Sequence, residues 1–383
     1  MDPKVVSKRP QNTAFKQQNL PSWQPVLSPP YVITCFLSLG VLFLILGGVV
    51  VAASDSIVEV DLRYDQIAAC PFEQRLARLN YACPEVIVDI PITKRMKQPV
   101  FLYYRLENFF QNHRRYAKSR SDDQLSGLEV SADGVLDCAP LRAPGEYTSL
   151  NGLPRGTRDT GGSTIDLSST IYSPCGLIAW SLFNDSFQLW KSEPNGINKT
   201  LICDGEMFDV AGNKLLPTMN CEKKGIAWRS DPGVRFSAPF QGHRELTNKG
   251  WQAACNVSSN TTIWNEFVCN GWYIGEKGHK IPSAQDEDLM VWMRLASMST
   301  FRKLYRRVTT DIEPGAYELR ILQRYDVRSF GGKKSFVLTT TSWIGGKNYF
   351  LGALYLAMGV ILAVLGIGFL VKHVASPRRA VLL

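Results

Sequence analysis

Apolar positions are arranged in two ways along this chain. Near its ends they form unbroken runs, Tyr31 to Ala53 and Tyr349 to Val371, each about 23 residues, with no charge between Lys16 and Asp55 or between Lys347 and Lys372. As helices these runs are roughly 35 Å long, enough to cross a ~30 Å hydrocarbon layer. Between the runs, apolar and polar positions alternate. Val100, Leu102, Tyr104 and Leu106 alternate with Phe101, Tyr103 and Arg105. Tyr317, Leu319, Ile321, Gln323 and Tyr325 alternate with Glu318, Arg320, Leu322 and Arg324, and Phe336 to Trp343 is rich in Val, Thr and Leu. This period predicts strands whose charged alternate positions meet water. Asp286-Glu287-Asp288 can start a helix with Leu289, Trp292, Met293 and Ala296 on one face; a strand through Val291 to Leu295 fits nearly as well. Segments 140–170 and 210–285, rich in Gly, Pro, Asn and Ser, read as long loops. The predicted fold is a transmembrane helical hairpin carrying a large, mostly-β domain, antiparallel and sandwich-like, with long insertions.

Charge orients the hairpin. The first tail holds Lys4, Lys8, Arg9 and Lys16 against Asp2, and the last holds Lys372, Arg378 and Arg379 with no acid. Asp55, Glu59 and Asp61 follow the first run. Basic residues flank the cytosolic ends of spans, so both termini are expected in the cytosol. The first run exceeds a signal-peptide core and sits behind a polar tail, so it reads as an uncleaved anchor. The expected parts are a tail (1–30), a span (31–53), a lumenal or extracellular domain (54–348), a second span (349–371) and a short tail (372–383). The tails account for +6 of the formal +9, which suits anionic lipid headgroups better than nucleic acid.

Cysteine and sugar signals fit the same topology. Of nine cysteines, Cys35 lies in the first run. The other eight, Cys70, Cys83, Cys138, Cys175, Cys203, Cys221, Cys255 and Cys269, fall between the runs. An even set in one compartment indicates disulfides. Sequence does not fix their pairing, although short loops close most easily, which favours 70–83, 138–175, 203–221 and 255–269. Asn184, Asn198, Asn256 and Asn260 each begin an N-x-[ST] acceptor triplet. On the second run, Gly352, Gly359, Ala363 and Gly366 lie within about 60° of one another around a helix. Such a stripe lets another helix approach closely in lipid, and Gly40 and Gly47 offer a weaker one on the first run.

No catalytic or cofactor motif emerges. Asp159-Thr160-Gly161 matches the aspartic-protease triplet, but that chemistry needs two such carboxylates and no second triplet occurs. His113, His243, His279 and His373 lack metal-ligand spacing. Asn108 to Arg120, NFFQNHRRYAKSR, crowds rings and cations as a nucleic-acid patch does. Outside the cytosol it reads instead as a basic strand end or turn, with arginines paired to carboxylates, or as a docking surface. Neither run carries an ionisable side chain, which disfavours an ion path. A two-span channel subunit or lipid receptor remains the alternative class.

Seven stretches carry a resemblance: KRPQNTAF (8–15), VEVDLRYD (58–65), YYRLENFFQNHRRYAKSR (103–120), SPCGLIAWSLFND (173–185), GIAWRSD (225–231), DLMVWMRLASMSTFRKLYRR (288–307) and TTTSWIGGKNYFLG (339–352). With them the chain resembles the CDC-fifty/Lem-three family, the non-catalytic β-subunits of phospholipid flippases. It departs from that pattern at 140–170 and 245–280. The resemblance implies a heterodimer with a type-four P-type ATPase that moves phospholipids to the cytosolic leaflet. This chain would act as chaperone and clamp, without cofactor or catalytic residues of its own. It would help the pump fold and leave the endoplasmic reticulum for the Golgi, endosomes or plasma membrane.

Overall fold

The structure is a computed structural model, and it describes residues 10–20, 28–67, 85–139, 141–142, 157–159, 164–166, 171, 173–193, 198–209, 211–238 and 282–376. The chain divides into two compact units, residues 1–55 with 348–383 and residues 56–347.

The first unit is an antiparallel pair of helices, α1 (Pro29–Asp55) and the last helix of the chain, α6 (Phe350–Ala375). Both are long and apolar enough to cross a membrane. Proline is tolerated in a first helical turn, where its missing N–H has no partner to lose, so α1 begins at Pro29. The Asn348 side chain accepts from Phe350 N at 2.9 Å and starts α6. The helices touch through their glycines. A Cβ on Gly359 would lie 2.9 Å from the Leu44 backbone N, and one on Gly47 2.9 Å from that of Leu356. Gly352 and Gly366 face Val51 and Leu37 in the same way, and Gly40 faces Ala363. These contacts recur every seven residues on both helices, the repeat of left-handed knobs-into-holes packing. Tyr349 Oη donating to Asp55 (2.6 Å) and Ser54 Oγ donating to Asn348 O (2.8 Å) close one end of the pair.

The second unit is built on antiparallel sheets. Its strands are β1 (Glu59–Arg63), β2 (Glu85–Ile92), β3 (Val100–Glu107), β4 (Thr157–Asp159), β5 (Thr164–Asp166), β6 (Ser186–Ser192), β7 (Lys199–Asp204), β8 (Cys221–Glu222), β9 (Phe301–Val308), β10 (Gly315–Leu322) and β11 (Lys333–Thr339). One sheet has the order β1-β11-β3-β9-β8, a second β2-β10-β6-β7, and β4 pairs with β5 alone. Short helices α2 (Arg114–Lys118), α3 (Asp122–Leu125), α4 (Leu177–Trp180) and α5 (Glu287–Met293) sit between strands. The alternation in β3 sends Val100, Leu102, Tyr104 and Leu106 into the core. By register, Leu338 and Phe336 of β11 share that face. The second sheet turns Tyr317, Leu319 and Ile321 of β10 and Phe187 and Leu189 of β6 inward. The two inner faces meet in a sandwich at Phe187, whose ring lies 5.2 Å from those of Tyr305 (β9) and Phe336 (β11). Each such fully buried side chain contributes on the order of 1.5–3 kcal/mol.

The structure departs from the sequence reading at several points. β10 ends at Leu322, so Gln323 to Tyr325 lie beyond it, and β11 ends at Thr339, which leaves Trp343 in a turn. Of the two readings offered for 286–296, the structure takes the helix, α5, with Leu289, Trp292 and Met293 buried, although it ends at Met293 and leaves Ala296 beyond it. Within 210–285, read as loop, Cys221–Glu222 joins the five-stranded sheet. Charged strand positions do not all meet water: Lys303, Arg306, Glu318 and Lys334 are buried. For β9 the reason is a further layer, since α5 and its neighbouring loops pack over Lys303 and Arg306. For Glu318 the cover is the stems of its partners Lys199 and Arg320, the latter lying 4.9 Å over the Trp190 ring.

Candidate partner surface and buried charge network

The acidic triplet before α5 does three separate jobs. Asp286 caps the helix, accepting from Asp288 N at 2.8 Å. Glu287 accepts from the backbone N–H groups of Gly225 and Ala227, at 2.8 Å from each, and so fixes the 225–227 loop. Asp288 forms a fork with Arg306 at 2.7 and 3.2 Å, and Lys223 Nζ bridges Asp286 (2.8 Å) and Asp288 (2.9 Å). Negative charge at a helix start also suits its dipole. Burial, together with the neighbouring Asp288 charge, raises the Asp286 pKa. Burial also opposes the Asp288 carboxylate, but Arg306 and Lys223 outweigh it and hold that pKa low. Lys303 donates to the carbonyls of Val291 and Arg294 near the end of α5. Burial without a carboxylate partner drops its pKa to about 8.

Lys223, Asp286, Asp288 and Arg306 line part of a cavity of about 350 Å³, walled also by Tyr104, Phe183, Phe208 and Tyr305. Next to it lies Asp185, fully buried. One of its oxygens accepts from Tyr64 Oη (2.8 Å) and Lys334 Nζ (2.7 Å), and the other from the backbone N of Arg324 (2.5 Å) and Tyr325 (2.6 Å). Four donors satisfy this carboxylate and join the loop after β1, the start of β6, the exit of β10 and β11. Sequence reasoning missed this hub, because its members are scattered and share no spacing. Among the described residues, no cluster of His, Cys, Asp and Glu is set to hold a metal.

The segment 108–120 has an anchored side and a bare side. Asn108 turns out of β3 with φ +61°, a region that Asn tolerates better than most residues, and its side-chain amide donates to Phe330 O at 2.8 Å. Phe109 packs among Tyr116, Trp292, Phe301 and Phe330, with ring centroids 5.4–6.1 Å apart. Gln111 is buried and accepts from Ala296 N (2.9 Å), and Tyr116 Oη meets Ser181 Oγ at 2.6 Å. Facing outward are Phe110, His113, Arg114, Arg115 and Lys118. Arg120 pairs with nearby Asp122 at 2.9 Å. The other four basic residues make no ion pair among the described residues, against the expectation that the arginines are paired.

The remaining predicted residues are placed as follows. The stripe of Gly352, Gly359, Ala363 and Gly366 is covered by this chain's own α1. Cys138 is bonded to Cys175, and Cys203 to Cys221. The first bridge ties the 3-10 turn Ala132–Cys138 to the loop before α4. The second ties edge strand β7 of one sheet to edge strand β8 of the other. Asn198 is exposed just before β7, whereas Asn184 is half-buried at the cavity. Cys70, Cys83, Cys255, Cys269, Asn256 and Asn260 lie outside the described residues. Asp159 ends β4, with Thr164–Asp166 as its partner strand.

Comparison with known proteins adds a lineage to this geometry. The model of the family described as LEM3 (ligand-effect modulator 3) family / CDC50 family matches residues 38–379. ALA-interacting subunit 3 of Arabidopsis thaliana is 36% identical over 381 residues, covering 97% of this chain and 88% of that protein. Cell cycle control protein 50A of Bos taurus is 33% identical, covering 95% and 89%. Cell cycle control protein 50B of Homo sapiens is 33% identical, covering 96% and 94%.

Proposed function

We propose, on the premise that this chain belongs to the CDC50/LEM3 family of flippase accessory subunits, that it is the non-catalytic subunit of a P-type ATPase which moves phospholipids from the exoplasmic to the cytosolic leaflet. In this reading α1 and α6 cross the membrane with both tails cytosolic, and the β domain faces the lumen or the exterior. The chain pairs one-to-one with the ATPase, helps it fold, accompanies it out of the endoplasmic reticulum, and acts with it in the Golgi, endosomes or plasma membrane.

One observation carries the reading. Similarity runs through both apolar helices and the β domain alike, so it concerns a whole architecture rather than one motif. The site chemistry is compatible with it. The ionic groups at the cavity are largely engaged with one another and with backbone, which fits a scaffold that holds loops in place. The name of one relative, "ALA-interacting subunit 3", also points to assembly with a partner.

The test is affinity purification of the full chain from native membranes, followed by mass spectrometry. The reading predicts a P-type ATPase recovered in near-equal amount. Recovery of the chain alone, or only of its own oligomers, contradicts it.

A further inference from the structure

Trp343 is the most exposed large apolar side chain among the described residues, at 78%, and Ile344 beside it is 37% exposed. The turn that carries them is held firmly. Ser342 N donates to Gly345 O and Gly345 N to Ser342 O, both at 2.9 Å, and Ile344 N donates to Ser342 Oγ at 3.4 Å. Gly345 takes φ +114°, a backbone open to glycine and to few other residues. A Cβ on Gly346 would collide with the Arg302 guanidinium, which pairs with Glu59 at 3.2 Å and lies 5.2 Å over the Tyr103 ring. The β domain thus fixes an outward indole beside its five-stranded sheet. Among the described residues that ring meets no other ring, cation or hydrogen-bond acceptor. Apolar groups held outward in this way mark a contact with something outside the chain.

Covalent length indicates what that something is. Just before the turn, Thr340 N donates to Val58 O (3.0 Å), and Val58 is three residues from the end of α1 at Asp55. Just after it, Gly346 is four residues from the start of α6 at Phe350. Chain of that length reaches at most about 14 Å, so the turn stays close to both helix ends at any angle between the two units. Tyr349 and Phe350 at the start of α6 are themselves 43% and 74% exposed. Tryptophan and tyrosine concentrate at the level of phospholipid headgroups, because their rings are apolar while their N–H and O–H groups seek polar partners. No Asp or Glu follows Asp326 in the chain, so neither the turn nor α6 carries an acid to repel anionic headgroups.

We propose that the turn Ser342–Gly345 seats in the exoplasmic face of the bilayer, with Trp343 and Ile344 at the boundary between phospholipid headgroups and acyl chains. The proposal rests on the reading of α6 as a membrane span with the β domain on the exoplasmic side, and it adds a lipid contact outside the spans. Interfacial apolar groups sink about 5–10 Å below the headgroup surface, a depth that one indole can reach. There the indole N–H donates to phosphate or ester oxygens, the partner it lacks within the chain.

The test uses the full chain with its co-purified ATPase in vesicles of phosphatidylcholine and phosphatidylserine. Trp343→Cys and, separately, Val364→Cys are made in a Cys35→Ser background and labelled with a nitrobenzoxadiazole fluorophore. Val364 is exposed midway along α6 and reports the span itself. The label at 343 should lose about half its emission to lipids that carry a nitroxide near the headgroup, and little to aqueous iodide. The label at 364 should respond to a nitroxide at the middle of the acyl chain. A 343 label quenched by iodide and not by lipid nitroxide, with the 364 label behaving as expected, overturns the lipid seat. So does a 343 label shielded from both quenchers, as a protein cover would leave it. If lipid nitroxides quench neither label, the membrane-spanning reading falls, and the seat with it.

Discussion

The helix pair and the β domain are held together by opposite means. In the helix pair, glycines every seven residues let two backbones close to van der Waals distance, and the apolar side chains look outward. In the β domain, an aromatic core is cross-tied by disulfides and by buried ion pairs such as Asp185–Lys334. The difference follows from the two solvents. Lipid offers no hydrophobic drive between helices, so shape decides. Water drives the sheets together, after which buried charges must find every partner they lose. The first region should therefore be sensitive to added volume, and the second to removed partners.

The largest effect should come from Asp185→Ala, which strands the Lys334 ammonium in the core. A loss of about 3–5 kcal/mol is expected, read as a lower melting temperature of the purified chain; a melt like that of wild type would deny the hub its role. Replacing Cys203 and Cys221 together by Ser should cost about 3 kcal/mol, seen as a lowered denaturant midpoint with β signal retained at low denaturant. Gly359→Leu with Gly366→Leu adds bulk against Leu44 and Leu37. The cost should be about 1–2 kcal/mol, with cross-linking lost between cysteines introduced on the two helices while the β-domain melt stays in place. Were the β domain to melt with it, the two regions would not be separable.

Lys303→Met should act through pH. The folded-state pKa is lowered to about 8 against 10.5 unfolded. The wild-type cost of burying the charge is thus full below about 8, and stability rises as pH climbs from there toward 10.5. That rise should vanish in the variant, measured as the difference between the two melting-temperature profiles. The smallest effect concerns sugar. Asn198→Gln should remove one glycan's worth of gel mobility and Asn184→Gln none, because Asn198 alone of the two is exposed.

What the sequence reveals differs between the regions for the same reason. Both apolar runs and the glycine stripe are legible, because their signals are local and periodic; only the occupant of the stripe, α1 itself, needed coordinates. β3 and β10 are legible from alternation. β9, FRKLYRRV, is not, since its inward positions include Lys303 and Arg306, whose partners on α5 and the 205 loop make their burial tolerable. The Asp185 hub is invisible in one dimension, since it gathers residues from distant segments. In 108–120 the composition marks an unusual stretch, but only the register of β3 and the anchoring of Phe109 separate its buried side from its bare one.

The central claim is that this chain completes a flippase without performing the catalysis. The most direct measurement is ATP-dependent inward movement of headgroup-labelled phospholipid in proteoliposomes holding its co-purified ATPase, with and without this chain. The account predicts transport only when both are present and none from this chain alone. Equal transport by the ATPase without the chain would contradict it.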